Sequence, residues 1–104
     1  MTTYVIDIDG TICTNSDGAY QNAEPYMDRI AQVNELYDNG NTVVYYTARG
    51  MGRGIAATLV IMTNEQLDSW GAKRHRVVFG KPAGDLYIDD KGTRPNLFFG
   101  DLDA

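Results

Sequence analysis

The sequence predicts an α/β fold, a three-layer α/β/α sandwich around a mainly parallel sheet. Three observations predict it. Four short apolar runs, at 4–8, 42–46, 76–80 and 85–89, are rich in β-branched and aromatic residues. Segments with helical spacing separate the first three, and strand–helix alternation is the pattern of a parallel sheet covered by helices. Acids, a threonine and a lysine stand at or just after the ends of the runs, where the carboxyl ends of parallel strands gather ligands.

Each element has its own warrant. "YVIDI", 4–8, is short and apolar on both faces, which suits a buried parallel strand. Residues 12–24 are polar, broken by Gly18, and read as a loop. Pro25 suits the first turn of a helix. Tyr26, Ile30, Val33 and Tyr37 then recur on one face, and Gly40 stops the pattern. "TVVYY", 42–46, is the second strand, and "TARGMGRG", 47–54, a glycine-rich loop. Apolar positions 56, 59, 60, 63, 67 and 70, counting the Thr63 methyl, predict a helix over 55–70 ended by Gly71. "RVVFG" is the third strand, "DLYID" the fourth, and "NLFF", 96–99, a short fifth strand or a packing tail.

A chain of 104 residues suits one domain, 1–104, with no linker and no internal repeat. No run approaches the roughly 18–20 apolar residues of a membrane span. The start has no basic segment ahead of an apolar one, so no secretory signal is expected. The lone Cys13 cannot form an internal disulfide, and the cytoplasm is the expected compartment. Fourteen acids against nine bases give a net charge of −5, which disfavours nucleic acid as a partner.

A parallel sheet would bring Asp7 and Asp9, Thr47, Lys81, and Asp89 and Asp90 to one rim. Close carboxylates repel unless they are protonated or share a cation. Oxygen-only ligands favour a hard ion, and Asp7, Asp9, Asp89 and Asp90 would suit Mg²⁺. Loop amides after the strands, at Gly10, Thr11 and Ala48, would cradle phosphoryl oxygens. Arg49 would grip a second anionic part of the substrate, ahead of Arg53, which lies further from Thr47. These parts fit phosphoryl transfer. An EF-hand loop counted from Asp7 fails, because Ile12 and Gly18 stand where glycine and glutamate are needed. His75 is expected to be exposed and without a catalytic role, and Cys13 to be a small buried filler.

"DIDGT", "VVYYT", "GKP" and "LYIDD" resemble, in order, the four motifs of the haloacid dehalogenase superfamily. They span residues 4–90, most of the chain. The resemblance implies a Rossmann-like fold and a Mg²⁺-dependent phosphomonoester hydrolase. Asp7 would be the nucleophile that forms an aspartyl-phosphate. Asp9 would be the acid and base and would offer its carbonyl to the metal. Thr47 would bind the phosphoryl group, and Lys81 would offset charge beside Asp7. Asp89 would ligate the metal, and Asp90 would support it directly or through water. Neither residues 12–24 nor 48–80 leave room for the cap domain of larger members. The implied enzyme is capless, with an open site that takes a large substrate or is completed by a neighbouring subunit. The wider combination "YTARGM", "FGKP" and "DLYIDDK" is similar to short phosphatase-like proteins of surface-polysaccharide synthesis, so a sugar phosphate is the expected substrate. A phospho-accepting or non-catalytic Mg²⁺-binding module of the same fold is the alternative. Receiver domains use similar parts, but their acidic pair comes early, whereas Asp89 and Asp90 come late.

Overall fold

The computed structural model describes residues 1–101. Strands β1 (Thr3–Asp7), β2 (Thr42–Thr47) and β3 (Arg76–Phe79) form one sheet in the order β1-β2-β3. All pairs are parallel, with Tyr4 opposite Val43 and Ile6 opposite Tyr45 in the first, and Tyr45 opposite Val77 in the second. Helix α1 (Met27–Asp38) links β1 to β2, and α2 (Ala57–Ser69) links β2 to β3. The fold is therefore α/β and Rossmann-like, as the alternation predicts.

Strand order that follows chain order, joined by right-handed crossovers, carries both helices to the same side of the sheet. One cluster accordingly holds Ile6, Val43 and Tyr45 of the sheet, Ile30 and Val33 of α1, and Leu67 of α2. β2 is the strand buried on both faces, with Val43, Val44 and Tyr45 all inside. β1 lies at an edge, and its Val5 is 62% exposed, so the two-sided burial expected of β1 belongs to β2.

The strands expected beyond β3 do not form. "DLYID" is not a strand. Its Leu86, Tyr87 and Ile88 are exposed, and the chain bonds to itself. The Asp89 carboxylate accepts the Lys91 and Gly92 N–H groups, and the Tyr87 hydroxyl donates to the Pro82 carbonyl and accepts from Gly84 N–H. Local bonds of this kind compete with a ladder. "NLFF" is not a strand; it packs on the core, as the alternative has it, but as most of a short helix, α3 (Pro95–Phe99), with Pro95 in its first turn and Gly100 left-handed after it. Its Phe99 joins the core. Within residues 12–24 a single 3-10 turn, Tyr20–Asn22, interrupts the loop. Among the described residues no helix is long and apolar enough to cross a membrane.

Candidate active site

β1 delivers Asp7 to its carboxyl end, and the chain then turns sharply. The turn rests on Thr11 and Ile12 N–H groups donating to the Ile8 carbonyl, and on Gly10 N–H donating to Cys13. Gly10 has φ +83°, and a Cβ there would stand 2.9 Å from the Asn15 side chain, so the turn requires glycine. The Gly10 and Thr11 amides expected to cradle phosphate are thus spent inside the turn. Thr11 contributes through its side chain instead. Its hydroxyl donates to Asp7 Oδ2 at 3.3 Å.

Lys81 follows β3 and reaches Asp7, its Nζ donating to Oδ1 at 3.2 Å. Its backbone N–H donates to the Thr47 carbonyl, which fixes the loop after β3 against the end of β2. The Tyr87 ring covers the ammonium at 4.3 Å. Burial pushes the Asp7 carboxyl above its ordinary range, and the Lys81 charge and hydrogen bond pull it only part of the way back.

Asp9 has a different partner. Arg49 Nε and Nη2 donate to its two oxygens, both at 2.8 Å. Arg49 Nη1 donates to Thr63 Oγ1 and Gln66 Oε1 on α2, and the Tyr20 ring lies 4.7 Å from the guanidinium. The Arg49 side chain is wholly buried. It therefore serves Asp9 and is not free for the substrate contact expected of it. A buried arginine needs its donors filled, and Asp9, Thr63 and Gln66 take four of the five. Thr47 is also buried, and its hydroxyl accepts the Arg49 N–H at 3.0 Å. The Ala48 carbonyl closes the next turn by accepting from Met51 N–H.

The structure thus brings Asp7, Thr11 and Lys81 together, and Asp9, Arg49 and Thr47 beside them. It does not bring Asp89 and Asp90 to this group. Both are exposed, and two backbone N–H bonds turn Asp89 onto its own loop and lower its carboxyl below the ordinary range. Among the described residues, no three acid, histidine or cysteine side chains stand together as a metal site. The donor chemistry suits Mg²⁺, being all oxygen, but only the Asp7–Asp9 half of the expected set is assembled.

Thr63, Gln66 and Tyr20 had no motif to mark them. Their only trace in the sequence is a polar pair three apart on the inner side of a helix. Arg29 is a further buried cation outside the motifs. It donates to the Thr11 carbonyl at 2.9 Å and clasps Asp101 at 2.7 and 2.9 Å, tying the turn after β1 to the chain after α3. Cys13 is buried as expected, and burial with Asp9 nearby pushes its thiol up to about 12. His75 lengthens the β2–β3 pairing, its N–H donating to the Val43 carbonyl and its Nδ1 accepting from Val43 N–H.

Neither a protein-family model nor a curated protein matches the chain. Two solved structures do. A target protein from Vibrio cholerae is 32% identical over 95% of this chain and 88% of its own, with a TM-score of 0.80. The D,D-heptose 1,7-bisphosphate phosphatase from B. bronchiseptica, solved with magnesium and phosphate, is 20% identical over 77% of this chain and 50% of its own, with a TM-score of 0.60. The chain belongs to one family with the Vibrio cholerae protein, and it shares its fold with the heptose bisphosphate phosphatase.

Proposed function

We propose that this chain is a Mg²⁺-dependent phosphomonoester hydrolase working through an aspartyl-phosphate on Asp7. The observation that carries the reading is the Asp7 carboxylate at the end of β1, held between the Lys81 ammonium at 3.2 Å and the Thr11 hydroxyl at 3.3 Å. A small phosphorylated metabolite is the substrate class, and a sugar phosphate is the first candidate. The likeness to a phosphatase supports this reading at the level of the fold.

In the first step an Asp7 oxygen attacks phosphorus, the bond to the leaving oxygen breaks, and Asp9 gives that oxygen its proton. In the second step water attacks the same phosphorus, Asp9 takes the water's proton, and inorganic phosphate leaves Asp7 as a carboxylate. Asp9 Oδ1 accepts from Arg49 and from the Cys13 thiol, but Oδ2 has a second lone pair beyond the one that Arg49 uses, so proton transfer does not require the pair to part. Lys81 offsets the negative charge gathered between Asp7 and the phosphoryl oxygens, and the Thr47 hydroxyl has a proton to donate to one of them. Mg²⁺ would neutralise phosphoryl charge and orient the group for attack. Asp7 and Asp9 would hold it; Asp89 and Asp90 would add oxygen donors only once Asp89 lets go of the Lys91 and Gly92 amides of its own turn. We place residues 1–104 in one capless domain that acts in the cytoplasm, its open site completed by a second copy or by the bulk of the substrate.

The test is phosphate release from sugar phosphates, nucleotides and p-nitrophenyl phosphate, with Mg²⁺ and with chelator, beside Asp7→Asn. Turnover that needs both Mg²⁺ and Asp7 supports the reading; turnover retained in Asp7→Asn sinks it. A second reading, a phospho-accepting or non-catalytic module, draws on the separation of Asp89 and Asp90 from Asp7. Under that reading acetyl phosphate would leave a long-lived phosphorylated protein and no turnover.

A further inference from the structure

On the phosphatase reading Asp9 moves a proton in both steps, so the rate depends on where its carboxylate points. That direction is set from α2. The Arg49 fork takes both Asp9 oxygens at 2.8 Å, and a bidentate pair fixes the plane of the carboxylate to that of the guanidinium. The guanidinium is in turn held at its third nitrogen. Nη1 donates to Gln66 Oε1 at 2.8 Å and to Thr63 Oγ1 at 3.2 Å. The Tyr20 ring lies 4.7 Å from it, and Gln66 Nε2 donates to the Tyr20 carbonyl at 2.8 Å. Gln66 thus grips both the arginine and the residue stacked on it. Its amide has one workable orientation, because a guanidinium only donates and a carbonyl only accepts. An ionised glutamate could not donate to the carbonyl, and a leucine could make neither bond. Arg49 and Thr63 are buried, which shields these bonds from water. The Cys13 thiol takes the second side of Asp9 Oδ1 at 3.6 Å, which leaves Oδ2 to carry the proton.

We infer that Gln66 and Thr63 are positioning residues: acting through Arg49, they aim Asp9 Oδ2 at the leaving oxygen of the substrate. The inference rests on the phosphatase reading and adds to it two residues of α2 that stand behind Arg49 rather than beside Asp7. Its consequence is confined to one event. When the bond from phosphorus to the leaving oxygen breaks, the electron pair stays on that oxygen, which takes the proton from Asp9. An acidic leaving group such as p-nitrophenol departs without that proton, whereas an alcohol such as benzyl alcohol needs it. A loosened clamp therefore slows esters of alcohols more than esters of acidic phenols. A general loss of packing would slow both alike.

The test follows release of the alcohol or phenol in a single turnover with Mg²⁺, which reads the first step alone. The quantity compared is the ratio of the p-nitrophenyl phosphate rate to the benzyl phosphate rate. A general acid contributes about 10²- to 10⁴-fold, so Asp9→Asn should raise the ratio by that order. A misdirected acid keeps part of its effect, so Gln66→Leu should raise it roughly tenfold. Thr63→Val, a nearly isosteric change that removes the longer bond, should raise it by less, and it carries the test alone if Gln66→Leu does not fold. Added to Asp9→Asn, neither change should raise the ratio further, because residues that act as a unit do not add. An unchanged ratio in either folded variant, or a further rise on the Asp9→Asn background, overturns the inference. A second readout needs no turnover. The Arg49 Nε–H, buried on Asp9, should give a slowly exchanging resonance in isotope-labelled protein, which Gln66→Leu shifts. A resonance indifferent to Gln66→Leu overturns the clamp. No release from any ester by the wild type, with the resonance still moved by Gln66→Leu, would instead sink the phosphatase reading and leave the clamp on Asp9 standing.

Discussion

Residues 4–9, "YVIDID", and residues 86–90, "LYIDD", are nearly the same text, an apolar run that ends in aspartates. Most of the first is β1, paired along β2. The second is exposed chain that bonds to itself. Intrinsic preference does not separate them. Compensation does. The acids of the first run meet cations delivered by distant elements, Lys81 from beyond β3 and Arg49 from beyond β2. Asp89 meets only the amides of its own turn. A strand that ends in carboxylates forms where the fold brings charge to meet them, and a run without such partners settles for local bonds.

The comparison breaks or holds first on burial. Ile8 is wholly buried and Ile88 is 89% exposed. Ile8→Ala should cost about 3 to 4 kcal/mol of unfolding free energy, whereas Ile88→Ala should stay within about 0.5 kcal/mol. Urea unfolding of the two variants side by side decides it. A large loss in Ile88→Ala would mean that the 85–90 run is packed in solution and would erase the difference. Next in size is the cation. Arg49→Met leaves Asp9, Thr63 and Gln66 facing an empty place, and should cost about 3 kcal/mol. Adding Asp9→Asn should recover part of that loss. A cost under about 0.5 kcal/mol, the level of an ordinary surface change, would show that Asp9 does not depend on Arg49.

Much of this was legible. The three strands follow from short β-branched and aromatic runs, and the two long helices from core positions that recur at 3.6 residues and from the glycines that end them. The meeting of Asp7 with Lys81, 74 positions apart, follows from the parallel-sheet rule that strand ends share a rim. That "DLYID" would not form the expected fourth strand was not legible, because a strand needs an open edge and a reason to leave its own turn, and neither is written in the run itself. Arg49 was placed at the right end of the right strand and given the wrong partner. Thr63, counted inward for its methyl, and Gln66 share it with Asp9, and nothing in the sequence marks their oxygens as partners of Arg49 until the helix is seated.

The smallest effect concerns Asp7, and its sign is the informative part. Burial raises the folded carboxyl above its unfolded value despite Lys81. The folded state therefore binds the Asp7 proton more tightly than the unfolded state does, and this contribution is fully present below the unfolded aspartate range. It is lost as pH rises through the folded value, above which an ionised, half-buried Asp7 works against the fold. Asp7→Asn removes that penalty. In chelator, its melting temperature should exceed that of the wild type at pH 7, and the gap should close as pH falls to about 3.5, near the unfolded range. Lys81→Met combined with Asp7→Asn controls for the ammonium left without its partner. A gap that widens on acidification would reverse the sign and mean that Lys81 outweighs burial. A gap that closes as expected would mean that the end of β1 holds its carboxylate at a cost to stability, which a cation bound beside Asp7 would relieve. Added Mg²⁺ should then raise the melting temperature of the wild type more than that of Asp7→Asn.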